Sequence, residues 1–526
     1  MPSTLTTAFA TTAPWSGAVA QEPSAPGRAP VYRRPLGNDP ATLDPARISD
    51  IYGLSVSQQI FDGLVEFDHT LTIVPALAQY WTASRDGLTW TFTLRRGVKF
   101  HHGREVTADD VVYSLTRLLD ARSKSAAADL FVNVQGARAF REGRATTVTG
   151  IMALDASTVR IVLDEAQAPL VSMLAIGYAK IVPRSRVAEQ GEAFGTAPVG
   201  TGPFRFERWE RGKEIVLTAN PDYFRGAPRL GRIVYRIFPG EPIAAMFEEF
   251  RRGHLEDSPV PMQDYPKVLA TTRGTHVKRT MFSVRFLGLN TRVKALADAR
   301  VRQALIYAID RQAIIDEVTK GRFVLARGIL PPGTLGYNPQ LAGYGYDPAR
   351  ARELLAAAGY PQGRGLPPLT IWAGVKLERE HQLVTQYLGA VGVRAEFKYV
   401  TEWPQFNRML ANGDLPIFQY AWQADGPDPD LFLFKLFHSK SPRNYTGYAN
   451  AEVDALLVRA RNEADDLRRA DLYRRAEQLV MNDAAVIPFF HSPYERVFQP
   501  YVKSIEVTGL GDPYIPFRKI WLETER

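Results

Sequence analysis

Residues 287–314 read LGLNTRVKALADARVRQALIYAIDRQAI and carry the clearest helix signal in the chain. Apolar side chains occupy the i, i+3, i+4, i+7 and i+8 positions of one helical face, namely Val301, Ala304, Leu305, Ala308 and Ile309. This spacing predicts a helix that begins at about Asp298. A second apolar set follows and ends at Gly321, which predicts further helix there.

Strand and helix patterns alternate on both sides of this segment. Trp90, Phe92 and Leu94 alternate with threonines, which predicts a half-buried strand at 89–94. Thr107 stands three residues before Asp110 and opens an apolar helical face, as in a capping box. Further strands are expected at 158–163, 213–218, 231–238, 368–373, 393–399 and 415–421, and further helices at 347–359 and, as one helix or a pair, at 451–482. The pattern predicts a mixed α/β protein with more than one sheet.

The composition is that of a globular protein. Of 526 residues, 45% are hydrophobic and 23% are charged, which excludes wholesale disorder, collagen and coiled coil. No window of 18 consecutive apolar residues occurs, so no membrane span is expected. The net charge of +8 is spread along the chain, so no nucleic-acid partner is expected. Cysteine is absent, which excludes disulfides, thiolate metal sites and cysteine nucleophiles.

Residues 1–30 differ from the rest of the chain. They are rich in Thr, Ala, Pro and Ser, and Ala18-Val19-Ala20 before Gln21 has the form of a signal-peptidase site. No basic residue precedes Arg28, so a disordered tail is the alternative interpretation. We expect a signal segment and an exported, periplasmic protein that is soluble and, lacking cysteine, not a lipoprotein.

Short catalytic motifs are missing from the sequence. GTAPVGTG (195–202) is glycine-rich but lacks the lysine of a phosphate-binding loop, and neither G-x-S-x-G nor H-E-x-x-H occurs. The pair His101-His102 is better explained by a hairpin turn at Gly103 than by a metal site. Glu248-Glu249 suits a solvated helix face more than an acid/base pair. These observations favour binding over chemistry, and we expect no catalytic residue, no metal and no cofactor.

Nine segments, taken in order, resemble one protein family. They are DPATLDPAR (39–47), FDGLVEFD (61–68), PALAQYW (75–81), WTFTLRRGVKFHHGREVTADDVVYSL (90–115), VGTGPFRFERW (199–209), NPDYFRGAPRL (220–230), the segment 287–314, YDPARARELLAAAGY (346–360) and WQADGPDPD (422–430). The family is that of the extracellular solute-binding proteins, family 5, which serve ABC importers of dipeptides, oligopeptides and nickel. The match extends over residues 31–521.

The resemblance implies a two-lobed fold of the periplasmic binding protein type (type II, large class with an extra subdomain), with the ligand enclosed between the lobes. One lobe is expected to combine 31–66, 199–285 and 490–526, with a subdomain inserted at 67–198. The second lobe is expected at 286–489. Two crossings between the lobes are expected to act as a hinge that ligand binding closes.

The segment 422–430 carries the site that the resemblance implies. In peptide-binding relatives the aspartate of a W-x-x-D motif pairs with the α-ammonium group of the ligand, and this aspartate matches Asp425. The alternative interpretation is a core strand followed by a turn that Asp425 caps. The expected ligand-binding residues are Trp422, Gln423, Ala424 and Asp425 from this segment, Ile51 and Tyr52 from the first lobe, and Asn444 and Tyr445 from a loop near the cleft.

The resulting functional prediction is a periplasmic substrate-binding subunit of an ABC importer for di- or oligopeptides or a related small solute. The expected partner is the ABC permease in the inner membrane, and the expected state is a monomer. Three alternatives stay open: a binding protein for a nickel chelate, an opine or an oligosaccharide; a sensor or chemoreceptor partner; and a hydrolase on this fold.

Overall fold

The computed structural model describes residues 30–263 and 265–523, so the predicted signal segment lies almost entirely outside the described residues. The strands are β1 (Val31–Leu36), β2 (Val65–Phe67), β3 (Ile73–Pro75), β4 (Ala78–Ala83), β5 (Thr89–Leu94), β6 (Ile151–Asp155), β7 (Thr158–Val162), β8 (Phe204–Glu210), β9 (Glu214–Ala219), β10 (Arg232–Ile237), β11 (Asp257–Pro259), β12 (Thr275–Thr280), β13 (Ser283–Leu289), β14 (Val324–Leu325), β15 (Leu369–Ala373), β16 (Ala395–Tyr399), β17 (Ile417–Gln423), β18 (Val486–His491), β19 (Pro493–Phe498), β20 (Val502–Lys503) and β21 (Trp521–Leu522).

Helices separate most of these strands. They are α1 (Ile51–Ile60), α2 (Ala108–Leu119), α3 (Ala137–Arg141), α4 (Leu170–Leu174), α5 (Arg184–Gln190), α6 (Ile243–Arg251), α7 (Tyr265–Thr271), α8 (Lys294–Ala297), α9 (Ala299–Ala308), α10 (Arg311–Thr319), α11 (Pro348–Ala357), α12 (Glu378–Ala390), α13 (Trp403–Asn412), α14 (Leu433–Phe437), α15 (Ala451–Asn462) and α16 (Asp466–Asn482).

The chain divides into two compact units. The first unit runs up to Arg279 and resumes at Glu495, and the second unit is the continuous segment Thr280–Tyr494. Both passages of the chain fall inside strands, β12 and β19, that belong to one three-stranded sheet of order β11-β19-β12. The lobe and subdomain boundaries expected from the sequence stay predictions.

The first unit contains two four-stranded sheets, β1-β10-β9-β8 and β4-β5-β7-β6. In the first of these, β1 pairs in parallel with β10, with Val31 opposite Arg232. The second unit is built on a six-stranded mixed sheet of order β14-β18-β13-β17-β15-β16. Its core packs the buried faces of α9, α10, α11 and α12 against this sheet.

The predicted elements that depend on local patterns are confirmed. Thr107 and Asp110 form the capping box of α2, and Asp347 caps α11, which has a proline at its start. The segment after Asp298 forms two helices, because Asp310 accepts the backbone N–H of Ala313 and caps α10 as a separate helix. The segment 451–482 is a helix pair, α15 and α16.

The glycine-rich segment 195–202 has a packing role. A Cβ at Gly200 would collide with the carbonyl oxygen of Ile60 at the end of α1, so only glycine fits there. The ring of His101 lies against the same segment, with Nε2 3.0 Å from the carbonyl oxygen of Gly202. The predicted hairpin turn is confirmed: Gly103 has a φ of 96°.

Candidate functional site

The end of β17 positions the W-x-x-D segment in the second unit. β17 runs antiparallel to β13, and Gln423 lies opposite Ser283. The backbone N–H of Ala424 donates to the carbonyl oxygen of Phe282 at 2.8 Å, so the pairing extends one residue beyond the strand. The chain then bends at Asp425, which is partly exposed, whereas Ala424 is buried. The turn therefore presents Asp425 from a backbone that the sheet holds in place.

Two buried ion pairs fix the rest of this segment. Asp428 accepts a hydrogen bond from Nη2 of Arg469 at 2.7 Å, and both side chains are more than nine-tenths buried. Asp430 accepts two hydrogen bonds from Arg461, at 3.0 Å from Nε and 2.7 Å from Nη2. Because α15 and α16 supply these arginines, the D-P-D part of the motif anchors the turn to the helix pair.

A capping residue is also present in this segment. Asp428 accepts the backbone N–H of Asp430 at 2.9 Å and caps the short 3₁₀ turn Pro429–Leu431. The Trp422 side chain is fixed as well, because its Nε1 donates to the carbonyl oxygen of Leu431 at 2.9 Å. Asp428 is thus a capping residue of this segment, and the roles of Asp425 stay predictions.

The loop that contains Asn444 and Tyr445 packs beside β17. The amide Nδ2 of Asn444 donates to the carbonyl oxygen of Tyr448 at 2.7 Å, and its Oδ1 accepts from the hydroxyl of Thr446 at 2.9 Å. These bonds give Asn444 a loop-holding role. Tyr445 is buried, and its hydroxyl accepts a hydrogen bond from Arg443 at 2.8 Å.

An aromatic cluster joins this loop to β17. The Tyr445 ring meets the Tyr420 ring edge-on at 5.7 Å, and the Trp403 ring stacks on Tyr420 at 6.1 Å with an interplanar angle of 12°. Burial, and then the neighbouring Tyr445, raise the pKa of Tyr420 to about 12. Trp403 is 49% exposed, which is unusual for so large a ring. Because side chains alternate along a strand, Tyr420 shares its face of β17 with Trp422.

In the first unit, Ile51 and Tyr52 form the start of α1. Asp50 caps this helix by accepting the backbone N–H of Gly53 at 2.7 Å, and Ile51 is exposed. The Tyr52 hydroxyl donates to Oε1 of Glu241 at 2.5 Å. Burial, and then this hydrogen bond, raise the pKa of Tyr52 to about 12.

The structure brings six of the predicted residues together in the second unit, at the end of β17 and in the loop beside it. Ile51 and Tyr52 belong to the first unit, and their participation in the same site stays a prediction. The sequence interpretation missed Arg461, Arg469 and Trp403. A signal existed for Arg469, which stands at helical spacing from Leu472, Tyr473 and Ala476 on the buried face of α16.

Neither a metal centre nor a membrane span is found in the described part of the chain. Within residues 30–263 and 265–523, no group of three or more His, Asp or Glu side chains is arranged to hold a metal ion. Over the same residues, no helix is both long enough and apolar enough to cross a membrane.

The fold is that of a substrate-binding protein of the periplasmic binding protein type. The chain belongs to the bacterial extracellular solute-binding proteins, family 5, because the model of the middle part of that family matches residues 72–444. The predicted family, fold class and substrate-binding role are thereby confirmed. Members of this family are substrate-binding transport proteins and not enzymes.

Relatives of known name cover nearly the whole chain. Heme-binding protein A of Haemophilus influenzae is 31% identical over 508 residues, which are 91% of this chain and 89% of the relative. The probable di/tripeptide-binding protein 5 of Pseudomonas aeruginosa is 31% identical over 478 residues (86% and 88%). The dipeptide-binding protein of Escherichia coli is 30% identical over 477 residues (86% of each chain).

Solved structures give the same result. HbpA2 from Haemophilus parasuis matches with a TM-score of 0.83 and 28% identity, covering 94% of this chain and 100% of the other. The periplasmic binding protein DppA from Helicobacter pylori, in complex with the peptide STSA, matches with a TM-score of 0.77 and 27% identity (94% and 98%).

Proposed function

We propose that this protein is the periplasmic binding subunit of an ABC importer, and that it captures di- or tripeptides and delivers them to a permease in the inner membrane. It acts as a monomer without a catalytic activity of its own, after export that removes the first 20 residues. The lobes are 31–66 with 199–285 and 490–526, carrying the subdomain 67–198, and 286–489. The observation that carries the proposal is the position of Asp425 on a turn fixed by the sheet and by two buried ion pairs.

The chemistry of a peptide suits this turn. An α-ammonium group that is removed from water needs an anionic partner within hydrogen-bonding distance, because an unpaired buried charge is costly. Asp425 is the partly exposed carboxylate of the segment, whereas Asp428 and Asp430 are buried against arginines. Asp425 therefore takes the ammonium group.

The surroundings of the turn suit a variable ligand. Main-chain pairing with an extended peptide ignores the identity of its side chains. The aromatic cluster of Trp403, Tyr420 and Tyr445 offers an apolar surface that can contact ligand side chains of different shapes. We infer that the protein accepts several short peptides, with the free amino terminus as the common feature.

The test compares Asp425→Ala with a control at the other end of β17. Losing one partner of a buried charge pair costs about 2–5 kcal/mol, so Asp425→Ala should weaken binding of an Ala-Ala dipeptide roughly 30-fold to several thousand-fold. Asp414→Ala, which removes an exposed carboxylate before the strand, should leave the dissociation constant unchanged. Calorimetry compares Ala-Ala with N-acetyl-Ala-Ala, which has no charged amino group. The comparison separates a lost charge interaction from a damaged fold.

The wild-type protein should prefer the free amine, and Asp425→Ala should lose that preference. Equal binding of Ala-Ala by Asp425→Ala and by wild type would refute the role of Asp425. An unliganded Asp425→Ala variant that melts much earlier than wild type would assign Asp425 to the fold instead.

Heme is the second candidate ligand. It is favoured by the 31% identity with heme-binding protein A and the TM-score of 0.83 with HbpA2. Mass spectrometry of ligand that co-purifies with the protein, together with an absorbance titration with heme, decides between the two. A Soret band that saturates at one equivalent, without displacement by Ala-Ala, would replace the peptide proposal with a heme proposal.

A further inference from the structure

The first unit contains a cavity that lies apart from the residues of the W-x-x-D segment. Its volume is about 350 Å³, which is within the range of small-molecule sites. Three of the segments singled out in the sequence meet there: FDGLVEFD supplies Asp62 and Glu66, NPDYFRGAPRL supplies Tyr223 and Arg225, and VGTGPFRFERW supplies Pro203. The proposed peptide site does not use them.

A buried lysine lines this cavity without a partner in the described chain. Lys180 is only 7% exposed, and among residues 30–263 and 265–523 no hydrogen bond or ion pair to its ammonium group is formed. Burial lowers the pKa of Lys180, because desolvation disfavours its charged form. The nearby Asp62 is engaged elsewhere, since it accepts the hydroxyl groups of Thr201 at 2.7 Å and Tyr223 at 2.9 Å.

The charged groups of the inner wall are paired unevenly. Glu66 is shared by two arginines: it accepts from Arg518 at 2.8 Å and also from Arg225. With Lys180, the wall therefore carries three cationic groups and, in Asp62 and Glu66, two anionic groups. Burial raises the pKa of Asp62.

The charged groups at the edge of the cavity have interactions of their own. Lys519 and Glu506 form an ion pair of 2.7 Å. The Asp68 carboxylate accepts hydrogen bonds from its own turn, at 2.8 Å from the backbone of Thr70 and 3.0 Å from that of Thr72. His69 is exposed. The lining as a whole thus carries four cationic and four anionic side chains, and Lys180 is the cation that has no direct partner among the described residues. A buried charge of this kind requires a counter-ion.

We propose that this cavity is a second ligand site, which binds a small organic monocarboxylate through the ammonium group of Lys180. A monocarboxylate supplies the one anionic partner that Lys180 lacks. Apolar side chains on the wall, namely Phe61, Phe67, Val74 and Leu510, contact the carbon part of the ligand.

Butyrate is the probe, and calorimetry with a matched lysine pair is the test. Wild type should bind sodium butyrate in the millimolar range or more tightly, and should bind inorganic phosphate and chloride more weakly at equal ionic strength. Lys180→Met should lose at least about tenfold in butyrate affinity, because the carboxylate loses its buried partner. Lys519→Met, which removes a cation at the edge of the cavity, should bind butyrate as wild type does.

The Lys180→Met variant is expected to fold, since replacing an uncompensated buried charge by an apolar group of similar length is neutral or stabilising. Its melting temperature checks this, and ¹³C NMR of carboxyl-labelled butyrate gives a second measure of binding. No butyrate binding by wild type at tens of millimolar, or equal binding by Lys180→Met, would overturn the proposal. Butyrate binding should be unchanged in Asp425→Ala, so the two sites succeed or fail separately.

Discussion

The segment 428–430 and the wall of the cavity at Lys180 both bury charged side chains, but they do so in opposite ways. In the segment, each carboxylate contacts an arginine directly, at 2.7 Å in both cases, and no space is left between the partners. In the wall, Lys180 has no such contact within the described residues, and an open volume of about 350 Å³ lies in front of it.

The difference separates charges that support the fold from charges that are available to a ligand. In a direct ion pair each group neutralises its partner, and the pair fills the space between helix and turn. Removing one partner therefore destabilises the fold. A charge that faces an open volume gains its partner only when a ligand arrives. Three substitutions at residues that are not proposed to contact a ligand test how buried charges and close packing support the fold.

The largest effect is expected for Arg469→Ala. It leaves the buried Asp428 without its cation, and breaking a buried pair in this way costs about 3–5 kcal/mol. The neighbouring Arg468→Ala is the control, because its ion pair with Glu463 is at the surface, where the Arg468 side chain is 70% exposed. It should cost less than about 1 kcal/mol. Urea denaturation of the two variants checks the contrast, and equal losses would contradict it.

A smaller loss is expected for Gly200→Ala, in the segment that brings Thr201 to Asp62. The added methyl group meets the carbonyl oxygen of Ile60, and such overpacking costs about 1–3 kcal/mol. Gly389→Ala, on the exposed face of α12 with no atom near the new methyl group, should be neutral or slightly stabilising. Thermal unfolding measures the difference. Equal melting temperatures for the two variants would contradict the close packing of this segment.

The smallest effect is a dependence on pH that comes from Glu477. This buried carboxylate accepts the backbone N–H groups of Ile329 at 2.7 Å and Leu330 at 2.8 Å, and burial raises its pKa to about 7. The folded protein therefore holds this proton where the unfolded chain has lost it. The resulting stability is fully present below the unfolded-state pKa and is lost as the pH rises through about 7.

Between pH 5 and pH 8, wild type should thus lose roughly 1–3 kcal/mol more than Glu477→Gln, in which the amide oxygen still accepts both N–H groups. Denaturation at the two pH values measures this difference. Glu452→Gln, an exposed change in the same unit, should keep the wild-type dependence, and a similar flattening in both variants would exclude Glu477 as the source.

The sequence predicts those parts of the fold that depend on neighbouring residues. The capping box of Thr107 and Asp110, the start of a helix at Asp298 and the strand at 89–94 are all set by side chains within a few positions of one another. For the candidate site, the sequence could place Asp425 after a strand and could relate it to the W-x-x-D motif. It could not assign different roles to Asp425, Asp428 and Asp430, because their partners are distant in sequence.

Arg461 and Arg469 lie 31 and 41 positions from the aspartates that they bind. In a helix as rich in charge as α16, the sequence shows several arginines, of which only those on the apolar face become buried. The cavity at Lys180 is even harder to predict from the sequence, because its wall combines side chains from positions 62, 180, 225 and 518. These charged groups come together only in the folded protein.

The division of the first unit into two pieces of chain has a consequence for the order of synthesis. Arg34 donates to Asp512 at 2.8 Å, across 478 positions, so this contact cannot form until the segment around position 512 has left the ribosome. The second unit is continuous and can assemble its six-stranded sheet earlier. Long-range contacts of the first kind are slow to form because the intervening chain must first be brought together. A nascent chain of this protein therefore carries an unfinished first unit until the segment around Asp512 has been synthesised, even where the second unit has already folded.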